Sequence, residues 1–462
     1  MRFSPVLQVV ALVCPALAGL PACSDDDGGS TTTDGAQRFK VTIENVAPFT
    51  NRKAGSFAVK VGATDPGPIA PGEAYEVTFT AGPGHRLVFA TMFGQSNDWF
   101  FAPDPMGIAL FDSDKNPVTG DVTAQVKLWD AGTEVDEEPA VGAHTGPKQK
   151  DSTDGPGAAD PDTDVREVPL TTTLTDGSSF TRPAVADMIA VTLSADAATR
   201  TFTLRIENVS EDGVTLMTSE GGKPVRVSPG VWALGTTTEP IFSEGAPDRG
   251  EGLEGIAEGG DIAALAAALP MHSGVATPLS PAVWLVHDGG MPFFTVGEPD
   301  YGMGLEAVAE TGDVSVLAGT YSDMLPAGGV LYGTAAVPVG KSDPGPIGPG
   351  GSYEQEITAS PGDMLSFVMM YGASNDWFFA TPDDGLPLFS GTTPVSGDVT
   401  GGVAIYDAGT EADEELAIGV HGGKPEGPAD PDDTVREVTA AEYGTPVTQH
   451  IKVTVTPLGP AQ

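Results

Sequence analysis

Apolar and polar residues alternate with a period of two along much of this chain. In AYEVTFT, residues 74–80, Tyr75, Val77 and Phe79 share one face, while Glu76, Thr78 and Thr80 take the other. That period predicts a strand with one buried face. In DVTAQVKLW, residues 121–129, the apolar face is Val122, Ala124, Val126 and Leu128, and the matching positions later in the chain are Val399, Gly401, Val403 and Ile405. Further strands are predicted at FKVTIENV (39–46), IAVTLS (189–194), FTLRIENV (202–209) and IKVTVT (451–456). Pro- and Gly-rich turns such as DPGPIAPG (65–72) separate the runs. A helical period shows only briefly, at GLEGIAE (252–258) and GLEAVAE (304–310). Half-buried strands joined by short turns predict an all-β, antiparallel β-sandwich fold.

The runs repeat. DPGPIAPG returns as DPGPIGPG (343–350), SNDWFFA occurs at 96–102 and at 374–380, and DAGTEVDEE (130–138) returns as DAGTEADEE (407–415). ADPDTDVREV (159–168) likewise becomes ADPDDTVREV (429–438). The first three pairs are offset by 277 or 278 residues and the last by 270, and this series marks a domain duplication. Taking FKVTIENV and FTLRIENV as opening strands predicts one domain over 39–195 and a second over 201–457. On that division the second domain carries a short helical insert that the first lacks. The insert is itself doubled, as 228–261 and 280–313.

The N-terminus changes the picture of where the chain works. Arg2, the apolar run Val6 to Leu20 and the tetrapeptide LPAC (20–23) resemble a bacterial lipoprotein signal, with 1–22 removed and Cys23 carrying a lipid. Cys14 would leave with the signal, so Cys23 would be the mature chain's one thiol, an anchor rather than half of a disulfide. Residues 23–38 then form a polar, flexible tether. A lipid-anchored place in the bacterial cell envelope, at the outer membrane, or an extracellular one follows. The formal net charge of −42 argues against nucleic acid as a partner. Gly (60) and Pro (41) together exceed a fifth of the 462 residues, which suits turns over long helices.

Three acidic positions recur inside the duplicated motifs: Asp98, Asp130 and Glu134, and correspondingly Asp376, Asp407 and Glu411. Calcium takes six to eight hard oxygens, several of them carboxylate. Gly132 would let the loop after Asp130 curl so that its acids face one point. The alternative, open on spacing alone, is that these acids cap turns through their own backbone. DSDKNP (112–117) lacks the glycine and closing glutamate of an EF-hand loop and reads as a hairpin turn. His144 and His421 align between the copies and read as hydrogen-bonded loop residues, while Glu137, Glu138, Glu414 and Glu415 read as a solvated rim. No HExxH, GxSxG or phosphate loop is present.

SNDWFF followed by WDAGTE or YDAGTE resembles the spondin N-terminal domain, and SPAVWLVHDGGMPFFTVGEPDYGMGLEAVAETGD (280–313) is similar to that domain's early part. The resemblance implies two eight-stranded, C2-like (spondin-type) sandwiches, each with a calcium ion at its edge. It places the metal on Asp98, Asp130 and Glu134 and on Asp376, Asp407 and Glu411. Glu134 and Glu411 stand where the family has aspartate. The first domain, without the Pro-Val-Trp segment, is expected to close differently and to be the weaker. The function implied is non-catalytic adhesion or binding of an extracellular protein or glycan. The alternatives are a carbohydrate-active or other hydrolase, for which two of the carboxylates would suffice, and a purely structural envelope spacer.

Overall fold

A computed structural model describes residues 35–461 except 147–155, 237, 290–292, 325–330, 420, 422–426, 440–443 and 445. The signal segment and Cys23 lie outside the described residues.

Four main sheets form two β-sandwiches, and every strand pairing within these sheets is antiparallel. In the first sandwich, a four-stranded sheet runs Ala74–Thr80, Thr201–Asn208, Ile189–Asp196, Gly120–Asp121. It faces a seven-stranded sheet whose main path runs Lys53–Phe57, Val227–Gly235, Arg86–Phe93, Trp99–Pro103, Val126–Asp130, Arg166–Glu167. The second sandwich repeats this plan. Its smaller sheet runs Ser352–Ala359, Gln37–Asn45, Ile451–Pro460, Gly397–Asp398. Its larger sheet runs Leu331–Ala335, Leu279–His287, Met364–Tyr371, Trp377–Ala380, Ala404–Asp407, Arg436–Glu437.

This pairing corrects the domain boundaries read from the chain. The strand expected to open the first domain, Gln37–Asn45, pairs with Ser352–Ala359 and Ile451–Pro460, so that Val41 faces Val455 and Ile43 faces Val453. The strand expected to open the second, Thr201–Asn208, lies between Ala74–Thr80 and Ile189–Asp196, with Phe202 opposite Phe79. The segments 228–261 and 280–313 are therefore not a doubled insert. Each sandwich takes one copy, Trp232 packing in the first core and Trp284 against the second. The first sandwich, from Lys53 to Met271, is thus nested between two consecutive strands of the second, Gln37–Asn45 and Leu279–His287. Its chain order is a circular permutation of its neighbour's, and among the described residues both sandwiches carry every strand of the two main sheets and the helix pair. FKVTIENV and FTLRIENV carry the same pattern of apolar positions, so period alone could not say which sheet either strand would join.

Each large sheet is buried on both faces. From Trp99–Pro103, Trp99 and Phe101 enter the core between the sheets, while Phe100 and Ala102 enter a second core under the helices Leu253–Gly259 and Ala263–Met271. The second sandwich does the same with helices Leu305–Thr311 and Ser315–Met324. This explains why WFFAP is apolar throughout rather than alternating. The alternation read over 121–129 is also interrupted: Thr123–Gln125 form a 3-10 turn and the strand starts at Val126. Pro229 lacks an N–H and falls at a bulge in the pairing of Val227–Gly235 with Arg86–Phe93. There the Ser228 hydroxyl accepts the hydrogen bond from Met92 N (2.9 Å) that the ladder no longer provides. Ser280 repeats this with Met370 N (2.8 Å).

Candidate metal centres

Two adjacent strands bring the first pair of acids together. Trp99 is in register with Asp130, so Asp98, one residue before Trp99, stands beside the end of the neighbouring strand. After Asp130 the chain turns sharply. Gly132 has φ +69°, and a Cβ there would lie 2.7 Å from the Thr163 backbone, so glycine is required. The curl aims three donors at one oxygen: Thr133 N (3.1 Å), Thr133 Oγ1 (3.3 Å) and Glu134 N (3.0 Å) all donate to Asp98 Oδ2. Asp130 Oδ1 accepts from Gly132 N at 2.7 Å.

The third carboxylate belongs to Asp136, not Glu134. One oxygen from each of Asp98, Asp130 and Asp136 lies within 4.8 Å of the others, and Asp376, Asp407 and Asp413 form the same group in the second sandwich. Asp136 is held by the tryptophan that follows Asp98: Trp99 Nε1 donates to Asp136 Oδ1 at 2.7 Å, and Trp377 Nε1 to Asp413 Oδ1 at 2.8 Å. The Asp-Trp pair therefore does two tasks, supplying one acid and positioning another. Glu134 contributes its backbone N–H, while its side chain turns to Gly157, whose N–H donates to Oε1 at 2.7 Å. Glu411 turns likewise to Gly427. Of the six acids expected from the sequence, the structure gathers Asp98, Asp130, Asp376 and Asp407.

The group is strongly negative. Arg166 Nη2 donates to Asp130 Oδ2 (2.6 Å) and Asp160 Oδ2 (2.5 Å), so one guanidinium is set against the three carboxylates of the first centre and that of Asp160. Asp160 and Asp162 of the acidic stretch 159–168 thus serve this arginine. Arg436 repeats the arrangement with Asp407 and with Asp430 (2.6 Å). Burial pushes the carboxyls of Asp98 and Asp130 well above the ordinary range, and repulsion from neighbouring acids adds to it; Asp376 and Asp407 shift the same way for the same reasons. Two glutamates that sequence reading missed border the centres. Glu258, on the first sandwich's helix, bonds the Thr133 hydroxyl, and burial pushes its carboxyl up to about 7; Glu310 does the same beside Thr410. The signal was available, since GLEGIAE and GLEAVAE both end in that glutamate.

A cation fits this geometry. Asp98 Oδ1 and Asp376 Oδ1 are buried and have no hydrogen-bond partner among the described residues, although both side chains are fully enclosed. A buried carboxylate oxygen left so is costly unless something positive meets it. The donors are all carboxylate oxygens, which suits a hard ion such as calcium or magnesium better than zinc. His144 and His421 stand apart from this chemistry: their Nδ1 atoms lie 2.7 and 2.8 Å from Glu137 and Glu414. Those glutamates are consequently half-buried loop braces, not the solvated rim expected from sequence. DSDKNP is a turn, as read, with Asp112 Oδ1 accepting from Asp114 N and Asn116 N. No protein-family model and no curated protein matches the chain.

Proposed function

We propose that the chain is a non-catalytic adhesion or ligand-binding lipoprotein of the bacterial envelope, built from two calcium-stabilised, spondin-like sandwiches and anchored through Cys23. Its partner would be an extracellular protein or glycan. The observation that carries the metal reading is the unpartnered oxygen of Asp98, recurring at Asp376, each buried inside a triad of aspartates. Asp98, Asp130 and Asp136, with Asp376, Asp407 and Asp413, would supply carboxylates, and water or backbone carbonyls would complete a shell of about six to eight oxygens. Bound calcium would neutralise the triad and tie the strand end at Asp130 or Asp407 to the loop beyond it.

The hydrolase alternative would use the same acids as a general acid and base. Spacing would allow it, because paired carboxylates about 5 Å apart serve retaining glycosidases. Burial argues against it: Asp98 is 0% and Asp130 2% exposed, open to an ion but not to a sugar. Among the described residues no helix is long and apolar enough to cross a membrane.

Calorimetric titration of the EDTA-stripped protein with calcium tests the reading. Two binding events are expected, one removed by Asp130→Asn and the other by Asp407→Asn. Absence of binding heat, with melting unchanged by calcium, would mean that Arg166 and Arg436 alone balance the acids. Labelled fatty acid incorporated into the protein and lost on Cys23→Ser would test the anchor.

A further inference from the structure

The loops that carry the third aspartate share one brace to their own sandwich, Ala140 N to Gln95 O and Ala417 N to Ala373 O, both 2.7 Å, and differ beyond it. In the first sandwich, Glu138 accepts a hydrogen bond from Ser219 N, within the same sandwich. Its counterpart Glu415 instead crosses to the other sandwich. Thr80 Oγ1 donates to Glu415 Oε1 at 3.0 Å, and Arg52 Nη2 lies 3.6 Å from that oxygen. Arg52 Nη2 also donates to Leu416 O at 3.0 Å. Arg200 donates to Ile418 O and to Gly419 O, the latter at 3.0 Å. Gly82 packs so closely that a Cβ would lie 2.4 Å from Ala417 O. Arg200 of the first sandwich and Arg52, which immediately precedes its opening strand and bonds Leu234 O through its backbone N–H, thus grip the backbone of 416–419 in the second, a few residues beyond Asp413.

Asp413 has reason to move if that grip is lost. Trp377 Nε1 holds Asp413 Oδ1, but Arg436 Nη2, already on Asp407, lies 3.6 Å from Asp413 Oδ2 and is a competing partner for it once the loop loosens. Asp413 is also the most exposed member, with 54% of its side chain accessible.

We propose that Arg52 and Arg200 are positioning residues for the second metal centre. By fixing the loop after Asp413 they keep its carboxylate within reach of Asp376 and Asp407, and cation binding there is coupled to docking of the two sandwiches. The first centre, braced from within its own sandwich, is not coupled in this way. The inference rests on the calcium reading above. By reciprocity, calcium at the second centre tightens the docking.

Simple electrostatics gives the opposite sign. Removing two positive charges near an acidic site should strengthen cation binding, whereas loss of positioning weakens it. The test uses the full chain with one centre disabled at a time. In the Asp130→Asn protein only the second centre remains, and Arg52→Gln with Arg200→Gln should weaken its calcium Kd roughly fivefold, as expected for residues in a coupled network. In the Asp407→Asn protein the same pair should leave the first centre's Kd unchanged, which also verifies folding. Gly82→Ala offers a second route: it displaces the loop at Ala417 with both arginines intact and should give the same selective loss. An unchanged or tighter second centre, or equal weakening of both centres, overturns the coupling and leaves the calcium reading standing. No calcium binding in either single-centre protein with the arginines intact overturns both.

Discussion

The two centres use the same residue types at corresponding places in the two sandwiches, yet they differ in enclosure and in how near the one arginine of each comes to the third aspartate. In the first, Arg166 bonds Asp130 and Asp160, and Asp136 is half-buried. In the second, Arg436 bonds Asp407 and Asp430 and also approaches Asp413, which is exposed. The tryptophans follow suit, Trp99 being 0% and Trp377 5% exposed. A duplicated motif therefore does not make duplicate sites. Identical ligands are tuned by how far one arginine reaches and by which sandwich braces the loop. The first centre, more enclosed and with its arginine not drawn to the third aspartate, is expected to bind a cation more tightly, the reverse of what an apparently incomplete first domain suggested.

Removing the tryptophan that joins core to centre should have the largest effect. Trp99→Ala deletes a fully buried side chain and the N–H that holds Asp136, and should cost about 3–5 kcal/mol. Trp377→Ala, whose ring is slightly exposed, should cost less, and urea unfolding of both variants gives the ranking. Equal losses would mean that enclosure does not distinguish the halves. Next comes the metal itself. Calcium at about 100 times its Kd should stabilise each centre by about 2.7 kcal/mol. The Asp407→Asn protein, which keeps the first centre, should reach that effect at a lower calcium concentration than the Asp130→Asn protein.

Acid should separate the metal-free state from the loaded one. In EDTA, carboxyls raised by burial, among them Glu258 and Glu310 at about 7, bind protons more tightly in the folded than in the unfolded protein. Their contribution to stability is then full below the ordinary carboxylate range and is lost as pH rises through 7. The EDTA-stripped protein should melt at a lower temperature at pH 8 than at pH 5, measured in high salt to screen the general charge of −42. Calcium binds the ionised triad and should reverse that slope. A metal-free protein with a flat or rising profile would mean that the arginines already satisfy the acids.

Much of this was legible in the sequence, and the failures have physical causes. Alternation at 74–80 gave a strand at Ala74–Thr80, and the repeats gave two similar sandwiches and the pair Asp98 and Asp130. Partnership was not legible, because Phe39-Val41-Ile43 and Phe202-Leu204-Ile206 offer indistinguishable apolar faces to whichever sheet is within reach. The helix pair looked like an insert for the same reason: a circular permutation separates in sequence what the sheets bring together. Asp136 was missed because its place in the triad is fixed by the indole of Trp99, thirty-seven residues away, and not by spacing within its own loop. The arginines were missed because an ion pair across strands, such as Asp130 with Arg166, leaves no period in the chain.

The smallest expected effect discriminates most finely between the ligand set read from sequence and the one the geometry gathers. Glu134→Gln retains an oxygen to accept the Gly157 N–H and leaves the backbone donor to Asp98 untouched. In the Asp407→Asn protein it should therefore change the first centre's calcium Kd by less than about twofold, whereas Asp136→Asn removes one of three ligand charges and should cost about tenfold. In the second sandwich the contrast between Glu411→Gln and Asp413→Asn should narrow, because Arg436 already shares Asp413 and less of its charge is there to lose. If Glu134→Gln costs as much as Asp136→Asn, the glutamate swings in when the ion arrives and the triad would have to be redrawn around it. A contrast of equal size in both halves would instead show that the reach of the arginine, which separates the two centres in their geometry, does not separate them in affinity.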